Sequence, residues 1–201
     1  MLEENHRQAG KPVASVRGFG RIAGGAALLL GLAAVVGHAR AQDSCTPYIL
    51  AMEGAFGIPR GMLLAIAQTE SGGKGDPYPW ALNIGGTPVF PSSLAAMEST
   101  IEDNGGGDGP NIDVGCMQIS LRYHKQTLPD YTLIFQPQYN VIYGAYFLRR
   151  LFNRYGNWLQ AIAHYHSSNP DRQFAYACRV LERLKKIRGQ GDGPIEVCTS
   201  G

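Results

Sequence analysis

Apolar residues recur every three to four positions through most of the chain after residue 44, the spacing of helices with one buried face. Tyr48, Ala51, Met52 and Ala55 mark a first helix. Gly57-Ile58-Pro59 breaks it, and Pro59 is suited to open the next one. Leu63, Ile66, Ala67 and Glu70 share a face of that second helix, which Gly72-Gly73 ends. Asp76-Pro77-Tyr78-Pro79-Trp80 and Asn83-Ile84-Gly85-Gly86 are too rich in Pro and Gly for a helix, and predict a loop with a short β-excursion near Thr87–Phe90. Ser92 or Ser93 caps a helix running to about Asp103, and the glycines between Asn104 and Pro110 form a connector. Helical spacing returns at Val141, Gly144, Leu148, Leu151 and Tyr155, and again from a cap at Asn157 to His164. In the last helix, opened by Asp171, Phe174, Ala177, Cys178, Leu181 and Leu184 form the apolar face. The fold class is therefore mainly α, with a Pro/Gly-rich loop insertion.

A different pattern precedes residue 44. Arg7, Lys11, Arg17 and Arg21 lead into an apolar run from Ile22 to Gly37, followed by Ala39-Arg40-Ala41. The run is shorter than the ~20 residues of a membrane span. A basic region, an apolar run and an A-x-A site together read as a secretory signal peptide over 1–41, with an uncleaved N-terminal anchor as the competing reading. A domain over 42–188 and a flexible tail over 189–201 follow.

This division changes the charge. The whole chain has 18 Lys/Arg and 16 Asp/Glu. Five and two of these fall in residues 1–41, leaving 13 and 14, a net charge of about −1. A nearly neutral domain excludes electrostatic nucleic-acid binding as the main activity. All four cysteines, Cys45, Cys116, Cys178 and Cys198, follow residue 41, and an exported chain with an even cysteine count is expected to form disulfides. Of the three pairings, the expected bridge is Cys45–Cys178, tying the ends of the domain together. It would leave Cys116 as a buried thiol and Cys198 free in the tail.

Three segments carry candidate chemistry. Glu70 extends the apolar stripe at the last turn of its helix, where desolvation and the helix dipole both disfavour the charged carboxylate. A carboxyl protonated near neutral pH is what a general acid requires; the competing reading is a helix-end Glu paired with a Lys or Arg. In Gly115-Cys116-Met117-Gln118-Ile119, Gly115 allows close backbone approach and Gln118 offers both donor and acceptor to sugar amides and hydroxyls. In Ala163-His164-Tyr165-His166-Ser167, Tyr165 is able to hold a carboxyl, while His164 and His166, two apart, point to different sides of a helix. No H-E-x-x-H or C-x-x-C occurs, so no metal and no cofactor is expected, and His124, His164 and His166 read as packing or surface residues.

In order, Glu70-Ser71, Gly115-Cys116-Met117-Gln118-Ile119, Asn140-x-x-x-Gly144 with Phe147-Leu148, and Ala163-His164-Tyr165 resemble the motifs of the soluble lytic transglycosylase catalytic domain, over roughly 45–187. Trp80 to Gly86 and Ile112 to Gln118 further resemble a proteobacterial subgroup, some members of which serve flagellar, secretion or conjugation machines. Three features depart from the family, one being the distance from Glu70 to Gln118, stretched by the Pro/Gly-rich insertion. Tyr165-His166-Ser167-Ser168 stands where Tyr-Asn-x-Gly is usual, and Cys116 stands where Leu is usual. The resemblance implies a lysozyme-like fold in the periplasm. It also implies cleavage of the β-1,4 bond between N-acetylmuramic acid and N-acetylglucosamine, ending in a 1,6-anhydro sugar. Glu70 would be acid and then base, oriented by Tyr165, with Ser71, Met117, Gln118 and, less directly, Asn83 lining the sugar cleft. Asp76 and Asp113 are expected to be structural; either one across the cleft from Glu70 would instead favour a muramidase that hydrolyses the same bond. A non-catalytic glycan-binding or assembly protein on this fold is the remaining alternative.

Overall fold

One buried carboxylate organises the entry to the second helix. The computed structural model describes residues 44–72, 75–190 and 198. Helix α1, Thr46–Ala55, carries Glu53, which is 4% exposed. Its oxygens accept from the N–H groups of Gly61 (2.8 Å), Leu63 (3.0 Å) and Leu64 (3.2 Å). A helix start leaves its first N–H groups without partners in the helix, and Glu53 supplies them. Helix α2 therefore begins at Met62, with Gly61 as its cap, and Pro59 lies outside it. Gly61 has φ +82°, and a Cβ there would meet Ile187 at 2.9 Å, so glycine is required on both counts.

Helix α2, Met62–Ala67, is short and almost wholly buried. Beyond it the chain widens into a π-helical turn, Gln68–Gly72, in place of the regular helix expected up to Gly72. The Thr69 and Ser71 hydroxyls donate back to Ala65 O (2.7 Å) and Ala67 O (3.2 Å), occupying carbonyls that the widened turn frees.

The loop insertion is more β-structured than its composition predicts. Strands β1 (Leu82–Ile84), β2 (Thr87–Val89), β3 (Ile112–Val114) and β4 (Ile119–Ser120) form an antiparallel sheet in the order β2-β1-β3-β4. Gly85 and Gly86, both at positive φ, make the two-residue turn of the β1–β2 hairpin. Pro88 is tolerated because β2 is an edge strand. Asn83 pairs with Asp113, and Asp113 with Ser120, so the three side chains form a row on one face of the sheet.

Helix α3, Leu94–Asp103, is capped by Ser93, whose side chain accepts from Ala96 N. Short α4, Leu121–His124, follows β4. Helices α5 (Pro137–Tyr155), α6 (Trp158–His166, capped by Asn157) and α7 (Pro170–Ile187, capped by Asn169) then pack in succession, and α7 returns to cover α2. The architecture is mainly helical, as expected, with seven α-helices among the described residues. The buried face of α7 is Tyr176, Ala177, Val180 and Leu184, rotated from the expected one; Phe174 is exposed.

That rotation bears on the disulfides. Cys178 lies on the flank of α7 and bonds to Cys198 (Cα–Cα 5.7 Å), while buried Cys45 bonds to Cys116 beneath the start of α1 (Cα–Cα 6.4 Å). The expected Cys45–Cys178 bridge does not form, and neither Cys116 nor Cys198 is free. The expected signal segment and the tail beyond Gln190, Cys198 apart, lie outside the described residues. No described helix is long and apolar enough to cross a membrane.

Candidate active site

The π-helical turn aims Glu70 into a cavity of about 790 Å³ between the sheet and helices α5–α7. Only 12% of the Glu70 side chain is exposed. Burial, with a smaller contribution from the Asp113 charge, raises its pKa from 4.5 to about 7, against the lowering effects of Tyr176 and Arg179. Glu70 thus holds a proton to neutral pH, and it has no Lys or Arg salt-bridge partner among the described residues. The helix-end ion pair is not what the chain builds.

The group that orients Glu70 is Tyr176, from the buried face of α7. Its hydroxyl donates to Glu70 Oε1 at 2.6 Å, and the buried ring is 1% exposed. Tyr165 was expected in this role. It lines the same cavity, but its hydroxyl donates to the backbone oxygen of Met117 at 3.1 Å. The pKa values of both phenols are raised well above the ordinary value, first by burial and then by the Glu70 charge. Sequence reasoning missed Tyr176 because it assigned α7 a face centred on Phe174 and Cys178. A face through Tyr176, Ala177, Val180 and Leu184 has helical spacing too and would have exposed it.

The Gly115–Gln118 turn is held by Asn140, which is fully buried. Asn140 Oδ1 accepts from Met117 N (2.8 Å), and Nδ2 donates to Val114 O and Ile134 O (2.9 Å each). A Cβ on Gly115 would come within 2.6 Å of the Asn140 carboxamide, and one on Gly144 within 3.0 Å of the Met117 side chain. The spacing Asn140-x-x-x-Gly144 puts both residues on one side of α5, where they clamp the turn. Gln118, at φ 48°, is the one non-glycine residue with positive φ among the described residues. Its Nε2 donates to Gly115 O (2.9 Å) and Ala81 O (3.2 Å), which leaves Oε1 as an acceptor at the cavity wall.

Of the expected cleft residues, Gln118 and Asn83 line the cavity, whereas Ser71 and Met117 do not. Ser71 is buried and ties the π-helical turn to the Gln118 turn through Cys116 O (2.9 Å). Met117 is 0% exposed and packs in the core. Across the sheet, Asp113 accepts from Asn83 Nδ2 (3.4 Å) and Asn111 Nδ2 (3.3 Å), bonds of the structural kind expected, and it also lines the cavity. Asp76 is exposed and outside the cavity. Asn83 Oδ1 is buried without a partner among the described residues, a cost that a ligand's N–H or O–H would relieve. Tyr123, an exposed ring at the rim, had no sequence signal of its own.

His124 and His164 are packing residues. His124 bonds Tyr143 Oη (2.9 Å), and His164 stacks on Tyr155 and bonds Gln173 (2.8 Å). All three line the cavity, and His166 approaches the carboxyl, with Nδ1 3.9 Å from Glu70 Oε1. No cluster of three His, Cys, Asp or Glu able to hold a metal exists among the described residues. The arrangement is a buried carboxyl that keeps its proton toward neutral pH, in a polar cleft that also holds Asp113, and it is suited to protonating a leaving group. The family model described as the transglycosylase SLT domain matches residues 47–177. No curated protein and no solved structure matches the chain.

Proposed function

The chain belongs to the transglycosylase SLT domain family and acts on peptidoglycan as a lytic-transglycosylase type of enzyme; from that premise we propose that Glu70 alone carries both proton transfers. Protonated Glu70 gives its proton to the glycosidic oxygen between N-acetylmuramic acid and N-acetylglucosamine as the C1–O bond breaks. The departing sugar leaves with a free hydroxyl, and the muramyl ring carries oxocarbenium-like charge. The Glu70 carboxylate then takes the proton of the ring's own 6-hydroxyl as O6 bonds to C1. A 1,6-anhydro end is left, and the acid is restored.

One observation carries this reading: a nearly buried glutamate, held by a tyrosine hydroxyl and ionising at about 7, faces a cavity large enough for sugar rings. Such a group is poised to donate and accept at the same pH. Asn83 Oδ1 and Gln118 Oε1 are the acceptors offered to substrate hydroxyls and acetamido N–H groups.

Export to the periplasm through residues 1–41 is part of the proposal, and the two disulfides favour an oxidising compartment. Service to an envelope-spanning secretion, flagellar or conjugation machine remains the reading of the Trp80–Gly86 and Ile112–Gln118 segments. Hydrolysis is favoured by one observation: Asp113 lines the same cavity, and its charge is felt at Glu70. Mass spectrometry of digested cell walls decides between them. Anhydro ends support the transglycosylase, reducing ends the hydrolase, and wall binding without products the non-catalytic alternative.

A further inference from the structure

The single-carboxylate scheme leaves one requirement unmet: something must keep water from C1 while the 6-hydroxyl swings in. His166 stands where that selection is made. It closes α6, and its ring lies flat on Tyr176 with centroids 4.5 Å apart and planes 6° apart. The stack fixes the ring so that Nδ1 faces Glu70 Oε1 at 3.9 Å. That gap is too long for a hydrogen bond. One oxygen placed about 2.8 Å from each atom fills it. Among the described residues, neither ring nitrogen of His166 has a hydrogen-bond partner, and the side chain is 38% exposed and lines the cavity. The imidazole is rigid, unspent and one oxygen away from the acid/base.

We propose that His166 is a catalytic residue of the second step, in which Nδ1–H and Glu70 Oε1 together hold the sugar's 6-hydroxyl and so set the ratio of anhydro to hydrated products. The inference rests on the transglycosylase reading of the same site. The balance is complete without a further reagent. The 6-hydroxyl donates its proton to the Glu70 carboxylate, O6 bonds to C1, and the neutral imidazole donates one hydrogen bond to O6 while keeping its own proton. A water molecule in the same bridge would give its proton to Glu70 and leave a reducing end. His166 therefore acts through which oxygen it holds.

The experiment compares wild type, His166→Phe and His166→Ala on purified peptidoglycan. Turnover is measured, and the ends of every fragment are assigned by mass spectrometry. His166→Phe keeps a flat ring against Tyr176 and removes Nδ1. Both variants are expected to fold, because the side chain lies on the cavity rim, and thermal melting checks this. The expected result is kcat at least about tenfold lower in both variants, KM little changed, and a higher fraction of reducing ends, most of all in His166→Ala. Anhydro ends from wild type together with an unchanged rate and end ratio in His166→Phe would overturn the role of His166 while leaving the transglycosylase reading intact. Only reducing ends from wild type would overturn both.

Discussion

Replacing Glu70 with Gln should stabilise the folded chain at alkaline pH, although it removes the proposed acid/base. The folded state holds the Glu70 proton up to about 7, whereas a freely solvated glutamate releases it near 4.5. Between those values the folded chain binds more protons than the unfolded one, so stability falls as pH rises. The contribution is fully present below 4.5, is lost progressively up to about 7, and stays lost above. At ~1.4 kcal/mol per pH unit, the window is worth about 3 kcal/mol, and the low exposure of the side chain means that solvent screens little of it. Gln has no such window, and its amide oxygen can still accept from Tyr176. The assay is urea unfolding, disulfides intact, of both proteins at pH 4.5 and pH 8. Other titrating groups, raised Asp113 among them, are common to both proteins. The stability of Glu70→Gln relative to wild type should therefore rise by about 3 kcal/mol between the two pH values. A difference that stays constant within ~1 kcal/mol would refute the desolvation argument.

The surroundings of Glu70 make opposite predictions for two neighbours. Asp113→Asn removes a charge that raises the Glu70 pKa, so the alkaline limb of kcat/KM should move to lower pH. Tyr176→Phe removes a hydrogen bond that lowers it, so the limb should move to higher pH as activity falls. Tyr165→Phe, which cuts only the bond to Met117 O, should cost about 1 kcal/mol of stability. Glu53→Ala should cost about 2–4 kcal/mol in denaturant unfolding by stranding the N–H groups of Gly61, Leu63 and Leu64, with kcat of the folded enzyme unchanged. Non-reducing peptide mapping should recover Cys45–Cys116 and Cys178–Cys198. Breaking the first, which closes a loop of 71 residues, should cost about 4 kcal/mol.

The longer helices were legible because each carries an apolar face, and three of them have a side-chain cap, from Ser93, Asn157 and Asn169. Glu70 was legible as the one carboxylate on the stripe Leu63–Ile66–Ala67. The sheet was only partly so: its strands are two or three residues long, below the length at which alternation is readable, and β1 pairs with β3 through residues such as Asn83 and Asp113, 30 positions apart. Tyr176 was lost because two apolar faces overlap on α7, and the choice between them is made by packing on α2. The same rotation defeated the disulfide expectation, since chain order says nothing about which flank of α7 Cys178 occupies. Ser71 and Met117 were recognised as motif residues, but their side chains lie beneath the cavity wall rather than on it. Ser71 ties the π-helical turn to the Gln118 turn, and Met117 anchors that turn to Asn140 and Tyr165; only three-dimensional depth separates such positions from the cleft wall.

The central claim is that one carboxyl, Glu70, cleaves the glycan without adding water. It is tested most directly by the end groups of peptidoglycan fragments released by the chain from residue 42 onward and by its Glu70→Gln variant. The account predicts 1,6-anhydro ends from the wild type and no fragments from a folded Glu70→Gln protein. Reducing ends from the wild type, or undiminished release by Glu70→Gln, would contradict it.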